Sequence, residues 1–151
     1  MLRPSKKMLF AIEAVLDIAY HAGGEPVQSR EITRRQGIPR RYLEQTLQQL
    51  VRAGVLVGVR GPRGGYRLAR ERRRISVGEV VRVVRSLEAF EEPLAEPPVS
   101  DLGKLVIRPM WNELSEEIIA RLEAITLDDL CMQAYKTGIT SESIAKLDFT
   151  I

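Results

Sequence analysis

The sequence of 151 residues has almost no cysteine or histidine and no long hydrophobic run. Its single cysteine cannot form an internal disulfide, which fits a reducing compartment. The most apolar stretch, residues 8–20, is interrupted by Glu13 and Asp17, so it falls short of the ~20 apolar residues that a membrane-spanning helix needs. The first residues lack the apolar segment of a signal peptide. We therefore expect a cytoplasmic protein with no membrane span.

The scarcity of reactive side chains also argues against an enzyme and against a metal site. His21 and Cys131 are the only imidazole and thiol of the chain, and no paired acid, base or nucleophile accompanies either of them. His21 ends a predicted helix, where a capping or solvated role is the more common one. Cys131 lies between Leu130 and Met132, which favours a buried small hydrophobe over a redox sensor. We predict no catalytic residues and no metal ligands.

Charge is distributed unevenly along the chain. Residues 1–85 contain 18 Lys and Arg against 7 Asp and Glu, a net +11, whereas residues 86–151 contain 5 against 13, a net −8. The two values add to the overall +3. A chance asymmetry on a solvated surface is the alternative, but a strongly basic half indicates contact with a polyanion.

The first half of the chain predicts three helices and a hairpin. Apolar residues follow helical spacing over residues 8–22, and a short helix over residues 30–36 follows Ser29 as its expected N-cap. The turn at Gly37, Ile38 and Pro39 leads into a third helix, which carries a leucine stripe on one side. A β-branched run from Val55 and a glycine-rich tip then predict a β-hairpin.

The second half predicts a helix, a connector and a long helix with an unpartnered apolar stripe. Ser76 and Glu79 form a capping box that opens a helix to about Leu87. Residues 88–101 contain three prolines and predict an exposed connector, because proline cannot continue a helix. An apolar spacing of four then spans roughly 22 residues, with Pro109 predicting a kink or a helix start. Such a long stripe needs a partner helix, and we predict dimerisation through the following residues. They are Leu105, Val106, Met110, Leu114, Ile118 and Leu122.

These elements predict a mainly α fold with a small β-hairpin: a winged helix-turn-helix plus a long dimerisation helix. The predicted DNA-binding domain covers residues 1–88 and the connector residues 89–100. Residues 101–138 hold the dimerisation helix and a short helix capped by Thr126, and residues 139–151 form a tail.

The second helix of the helix-turn-helix presents side chains that read base edges, since Arg pairs with guanine, Gln with adenine, and Glu accepts from the cytosine amino group. A merely solvated face usually alternates Glu and Lys, whereas this one is mostly Arg and Gln. The predicted DNA-contacting residues are Ser29, Arg40, Arg41, Tyr42, Glu44, Gln45, Gln48, Arg60, Gly61 and Arg63.

The predicted hairpin tip, residues 60–65, adds two arginines to glycines that let the backbone approach another surface. An arginine on such a tip fits a narrow minor groove. A phosphate-cradling loop of a nucleotide enzyme is disfavoured, because no Lys-Ser/Thr ending follows and a strand stands where a helix should begin. A plain glycine turn explains the glycines but leaves Arg60 and Arg63 unexplained.

The stretch GIPRRYLEQTLQQLVRAGVLVGVRGPRGGYRLA, residues 37–69, resembles the core of the Rrf family of winged-helix regulators. That family includes the iron–sulfur cluster regulator, the nitric-oxide-sensing repressor and the cysteine-metabolism repressor. The resemblance extends from about Lys7 through residues 75–80 and weakly to Trp111 and residues 126–130. It implies a dimer on a pseudo-palindromic operator, with the helix near residues 103–124 crossing its symmetry mate. It also implies that Tyr42, Glu44 and Gln45 face the major groove, while Arg60 and Gly61 enter the minor groove.

The chain departs from many members of that family in its connector. Those members hold an iron–sulfur cluster with three cysteines there, whereas this connector contains neither cysteine nor histidine. Its glutamates do not match a calcium loop, and a cluster shared between subunits through Cys131 or carboxylates is disfavoured because carboxylates suit such sites poorly. We expect no conventional cluster.

The sequence thus predicts a homodimeric transcription regulator that binds double-stranded DNA sequence-specifically, and that acts as a repressor or as a dual regulator, with repression as the expected mode. Either a small molecule or a protein partner would control its activity, or it would act without any ligand. The alternative is a winged-helix module that binds a protein through its acidic half, because fold alone does not fix function. The arginine-rich tip and the Arg/Gln helix face favour DNA.

Overall fold

The computed structural model describes residues 3–91 and 97–143 of the chain. Its described α-helices are α1 (Lys6–His21), α2 (Ser29–Gln36), α3 (Arg40–Arg52), α4 (Val77–Glu91), α5 (Arg108–Glu123) and α6 (Leu127–Lys136). Strands β1 (Leu56–Val59) and β2 (Gly65–Leu68) form the hairpin, and a 3₁₀ turn covers Arg72–Arg74. The expected mainly α fold with a small β-hairpin is confirmed.

The core forms around α1, because that helix buries its apolar face against α3, α4 and α6. Ala14 and Ile18 of α1 have no exposed surface, and neither do Leu47 and Leu50 of α3. The predicted leucine stripe of α3 therefore faces inward, where full burial of each leucine contributes ~1.5–3 kcal/mol. Its polar residues are consequently turned outward.

The helix-turn-helix is formed by α2 and α3 with residues 37–39 between them. Ile38 of the turn is fully buried, which anchors the turn to the core. The expectation that Ser29 caps α2 was wrong by one residue, since the N-cap is Gln28 and Ser29 is the first helical residue. The Gln28 backbone N–H donates to Glu31 Oε2 at 3.3 Å, so the Glu31 side chain satisfies the amide of the cap residue.

The hairpin is attached to the segment before α2. Strands β1 and β2 pair antiparallel, with Leu56 opposite Leu68 and Val59 opposite Gly65. Val27 and Tyr66 also exchange two backbone hydrogen bonds, each of 2.8 Å. The hairpin, which is the wing, is thereby attached on both sides. Strand β1 follows α3 in the chain, and strand β2 is hydrogen-bonded to Val27.

Helix α4 begins as predicted and ends later than predicted. The Glu79 amide donates to Ser76 Oγ at 3.1 Å, which confirms the capping role of Ser76. The helix continues to Glu91 instead of stopping near Leu87, because its first proline, Pro93, comes two residues further on. The predicted connector at residues 89–100 therefore begins inside the helix, and residues 92–96 lie outside the described part of the chain.

The long helical segment is irregular around Pro109. A π-helical turn, Gly103–Ile107, precedes α5, and Pro109 lies in the first turn of α5. A proline lacks the N–H of a regular helix and its ring meets the preceding carbonyl, so a wider turn accommodates it. The expected interruption near Pro109 is thus a π turn, and because residues 101–123 are helical throughout, the helical segment begins before Pro109 and not at it.

Helices α4 and α5 cross so closely that a side chain at Gly78 would not fit. A Cβ at Gly78 would lie 2.6 Å from the backbone nitrogen of Glu123. Ile119 of α5 is 3% exposed, and Arg82 of α4 pairs with Glu123. This face of α5 packs within the protomer, so only the other faces of α5 can contact another molecule.

Helix α6 joins the core of the N-terminal half. Thr126 caps it, with the Asp129 amide donating to Thr126 Oγ1 at 3.0 Å, as predicted. Leu127 has no exposed surface and belongs to the same apolar cluster as α1. None of the helices in the described ranges is long and apolar enough to cross a membrane. Most of the predicted tail, residues 144–151, lies outside the described residues.

Candidate nucleic-acid interface

The outward face of α3 is polar and exposed. Tyr42, which precedes the buried Leu43, is 47% exposed. The other predicted contact residues on this helix that are exposed are Arg40, Arg41, Glu44, Gln45 and Gln48. These side chains offer donors and acceptors of the kinds that match base edges and phosphates. The structure brings all six onto one helix, opposite the leucine stripe.

Two of these side chains are already paired with each other. Arg40 Nε lies 3.0 Å from Glu44 Oε1, one helical turn away, and the two side chains are 78% and 48% exposed. An exposed pair of this kind contributes only ~0.3–0.5 kcal/mol, so it breaks easily when another partner arrives.

The wing tip, residues 60–65 of the hairpin, presents the predicted arginines to solvent. Two of its glycines are present for different structural reasons. Arg60 and Arg63 are exposed. A Cβ at Gly64 would lie 2.2 Å from the carbonyl oxygen of Val59, so the tight turn itself requires that glycine. Gly61 has a φ of +111° and no atom within 4 Å of an added Cβ. Of these two glycines, Gly61 is therefore the one whose backbone is open to an incoming surface.

The wing tip lies beside the N-terminus of α2. Gln28 Nε2 donates to the carbonyl oxygen of Pro62 at 3.3 Å, and the backbone bonds of Val27 with Tyr66 secure the same junction. Ser29, half-buried at the start of α2, is thereby close to the tip of the hairpin. We define the reading surface as the exposed face of α3, Ser29 and the wing tip. Gln28 was missed from the sequence, because its contact is with a residue 34 positions away.

Lysines of α1 lie beside this surface and were also missed. Lys6, Lys7 and Tyr42 line a cavity of about 450 Å³ between α1, α3 and the end of α4. Lys7 and Tyr42 also line a second cavity of about 360 Å³ with Gln45. The sequence signal was the basic start of the chain, but nothing in it placed those lysines next to α3.

A buried ion pair fixes α2 against α1. Arg35 Nε and Nη2 contact the two oxygens of Asp17 at 2.9 and 2.8 Å, and Gln36 Nε2 donates to Asp17 Oδ2 at 2.7 Å. The Asp17 side chain has no exposed surface, and its hydrogen bond raises the pKa of Arg35. Because removing one member of such a pair leaves a buried charge alone, the pair fixes the position of α2. The sequence signal was a carboxylate on the buried face of α1.

The predicted dimerisation residues lie on exposed faces of α5 and the turn before it. Leu105 is 67% exposed and Ile118 is 56% exposed. The remaining values are 55% for Val106, 45% for Met110 and 47% for Leu114, whereas Leu122 is half-buried. We define the apolar face of α5 as these six residues. An apolar stripe of this length that stays in water is unusual for a monomer.

The donor set for an iron–sulfur cluster does not fit the usual three thiolates. Cys131 is 2% exposed in α6, and burial raises the pKa of its thiol, which opposes the thiolate that a cluster requires. The single imidazole, His21, accepts a hydrogen bond from a backbone amide through Nδ1. In residues 3–91 and 97–143 no three of the Cys, His, Asp and Glu side chains gather in a metal-binding arrangement.

Comparison with known proteins adds an independent line of evidence. A family model described as Rrf2, iron-dependent transcriptional regulator, matches residues 4–133. The HTH-type transcriptional regulator IscR of Vibrio cholerae is 35% identical over 131 residues, which cover 87% of this chain and 76% of that protein. The IscR of Pectobacterium atrosepticum is 36% identical over 131 residues, covering 85% of this chain and 79% of the other.

Two solved structures share the fold. The structure of T. potens IscR has a TM-score of 0.71 and 34% identity, and the match covers 92% of this chain and 93% of the other. The structure of CymR (YrzC), the global cysteine regulator of B. subtilis, has a TM-score of 0.68 and 28% identity, with 88% and 98% of the two chains covered.

Proposed function

The chain belongs to the Rrf2 family and is a DNA-binding transcriptional regulator rather than an enzyme, and on this premise we propose that it represses transcription as a homodimer on a pseudo-palindromic operator. Each protomer reads one half-site with the reading surface. Tyr42, Glu44 and Gln45 contact base edges in the major groove, and Arg60 with Gly61 enters the adjacent minor groove. A protein that acts on chromosomal DNA works where the chromosome is, so the proposal implies a cytoplasmic location.

The junction between the wing tip and α2 is the observation that carries this proposal. The hydrogen bond from Gln28 to Pro62 keeps the wing beside the helix-turn-helix. A recognition helix and a wing that are fixed relative to each other can occupy neighbouring grooves without first being ordered, which lowers the entropic cost of binding. Ser29, Arg41 and Arg63 supply positioning contacts to phosphates.

The apolar face of α5 supports the homodimer. Packing this face against its copy removes the exposed side chains from water, at ~25 cal/mol per Å² of apolar area. A two-fold axis between two copies also repeats the reading surface in inverted orientation, and such symmetry is mirrored by inverted half-sites in the DNA.

We propose that the regulatory input differs from a conventional three-cysteine cluster, because the chain has a single, buried cysteine and His21 is engaged in a hydrogen bond. We propose that an unidentified small molecule or protein is the effector. An absorption spectrum of anaerobically purified protein tests the cofactor part. We expect no visible absorption bands from an iron–sulfur cluster; such bands, with bound iron and sulfide, would contradict it.

Selection of genomic DNA fragments by the purified protein tests the main proposal. We expect enrichment of one inverted-repeat motif and binding that weakens steeply with salt, because phosphate contacts release counterions. Transcription from a promoter that carries the motif should fall when the protein is added. Absence of any enriched motif, together with a tight complex with another protein, would contradict the proposal.

A further inference from the structure

The described end of the chain folds back onto the start of the helix-turn-helix. Residues 139–143 follow α6 and lie against the end of α1, where Ser141 Oγ donates to the carbonyl oxygen of Tyr20 at 2.7 Å. The Tyr20 hydroxyl donates to the carbonyl oxygen of Ile139. Ser141 is 5% exposed, so this segment is packed rather than merely adjacent. We call residues 139–143 the C-terminal latch.

Glu142 connects the latch to α2. Its carboxylate oxygens lie 2.9 and 3.1 Å from Arg34 Nη2, and Oε2 lies 2.7 Å from Arg35 Nη1. Arg35 also holds the buried Asp17 of α1. One chain of ion pairs therefore runs from α1 through α2 to the latch, and it joins the basic half of the chain to its acidic half.

His21 is the titratable member of this junction. Its Nδ1 accepts the backbone N–H of Glu142 at 3.1 Å, which requires a neutral imidazole with the proton on Nε2. An imidazolium has donors on both ring nitrogens and no acceptor. Protonation of Nδ1 therefore removes this hydrogen bond and leaves the Glu142 amide facing another donor.

The surroundings of His21 oppose its protonation while the latch is closed. Asp17 of α1 and Glu142 of the latch attract a positive charge, whereas Arg34 and Arg35 of α2 repel it. Burial is the largest influence, and the net result is that the pKa of His21 lies below its ordinary value of 6.5. A surface cavity of about 240 Å³ adjoins His21, and it is also lined by Glu25, Glu31, Arg35 and Glu142.

We propose that the C-terminal latch is a pH-sensitive device that fixes α2 to the end of α1, and that protonation of His21 opens it. Opening moves Glu142 away from Arg34 and Arg35 and restores hydration to the imidazole. Helix α2 then loses one of its supports and exchanges between conformations more readily.

The direction of the pH dependence follows from linkage. The pKa of His21 is lowered in the closed latch and returns toward 6.5 when the latch opens. The open form therefore binds the proton more tightly, and acid favours it. The closed latch keeps its full stability above about pH 6.5 and loses stability as the pH falls below that value.

Amide hydrogen exchange of the full chain, followed by mass spectrometry, tests the proposal in the absence of DNA. Protection factors are corrected for intrinsic exchange and compared between pH 7.5 and 5.5. In the wild type we expect protection of the latch and of α2 to fall about threefold or more at the lower pH. Equal protection at both values would overturn the proposal.

His21→Asn is the matched variant, because asparagine Oδ1 can accept the Glu142 amide in place of Nδ1 but does not titrate. We expect the pH step to disappear in this variant, whether its protection stays high or is low at both values. A step as large as that of the wild type would overturn the role of His21. Far-UV circular dichroism checks that the variant folds.

Glu142→Gln tests the ion pairs separately. It keeps the backbone donor to His21 but loses the charge that holds Arg34 and Arg35, so protection should be lower at both pH values while the step remains. Unchanged protection would overturn the latch. Because His21 is the only histidine of the chain, nuclear magnetic resonance follows its imidazole without ambiguity, and a midpoint at or above pH 6.5 in the wild type would contradict the proposal without any variant.

Discussion

The reading surface and the apolar face of α5 are both exposed, but the free energy of exposing them to water differs. The arginines and glutamines around Tyr42 are solvated in the free protein, so that surface is stable without a partner. The side chains around Leu114 cost free energy for as long as they face water. The first surface is the proposed contact with DNA, whereas the second is the proposed contact between two copies of the chain. Similar exposure thus corresponds to different partners, and chemistry rather than accessible area distinguishes them.

The largest effect is expected when a charge is placed on the apolar face of α5. Leu114→Glu would bury an unpaired carboxylate between two copies, which costs ~3 kcal/mol or more. We expect the dimer dissociation constant to rise at least ~100-fold, measured by analytical ultracentrifugation. Binding to the full operator should be lost with it.

Asn112→Asp provides the matched control, because Asn112 is exposed on α5 about 200° around the helix from Leu114. It adds the same charge to the same helix, and the dimer should persist. A Leu114→Glu protein that remains dimeric at wild-type concentrations would show that the apolar face of α5 is not the dimer contact.

The second prediction concerns the reading surface. Arg60→Ala removes the guanidinium expected in the minor groove and should weaken operator binding by ~1–3 kcal/mol. The slope of the logarithm of affinity against the logarithm of salt concentration should also fall by about 1. Fluorescence anisotropy with a labelled operator measures both quantities, and dimerisation should be unchanged.

The control for charge alone is Arg74→Ala, in the exposed 3₁₀ turn that follows the hairpin. It lowers the net charge by the same amount and should have the smaller effect on affinity. Equal losses from both variants would mean that the wing tip contributes only to the general positive field, and the minor-groove contact would be wrong.

Much of this contrast was predictable, because its signals are local. The spacing of Leu43, Leu47 and Leu50 set the inward side of α3, and the caps at Ser76 and Thr126 set the starts of two helices. The exposed stripe of α5 followed from spacing in the same way. Each of these patterns is contained within one or two helical turns of sequence.

The frame that holds the two surfaces was not predictable, since its contacts join distant positions. Asp17 and Arg35 are 18 residues apart, and Arg35 and Glu142 are 107 apart. A single sequence records no distance between such residues. The shift of the α2 cap from Ser29 to Gln28 has a local origin instead, because Glu31, three residues further on, accepts the backbone N–H of Gln28. The end of α4 was misjudged because glutamates were counted as part of a proline-rich connector.

A smaller effect is expected where the reading surface discriminates between bases rather than simply binding DNA. Glu44→Ala removes the acceptor proposed for a cytosine amino group and frees Arg40 from its ion pair. Affinity for the preferred operator should fall by ~1 kcal/mol, while affinity for unrelated DNA rises or stays level because a negative charge has left the surface. The ratio of the two affinities, measured on matched duplexes, is the informative quantity.

Glu71→Ala serves as the control for that ratio. Glu71 is an exposed carboxylate paired with Arg73 at 2.6 Å, outside the reading surface. Its removal should leave discrimination unchanged. If Glu44→Ala lowers affinity for every duplex by the same factor, Glu44 positions the helix and does not read a base.

The smallest effect should come from Cys131, which belongs to neither surface. Its thiol is 2% exposed in α6 and burial raises its pKa, so it offers little thiolate to an oxidant. Operator affinity of Cys131→Ala should stay within about twofold of the wild type, ~0.4 kcal/mol, with and without hydrogen peroxide. The same substitution should cost ~1 kcal/mol in the free energy of unfolding, because it removes a buried sulfur. A peroxide response of about tenfold that is present in the wild type and absent in the variant would contradict this, since it would make the thiol a sensor that acts on the reading surface from a distance.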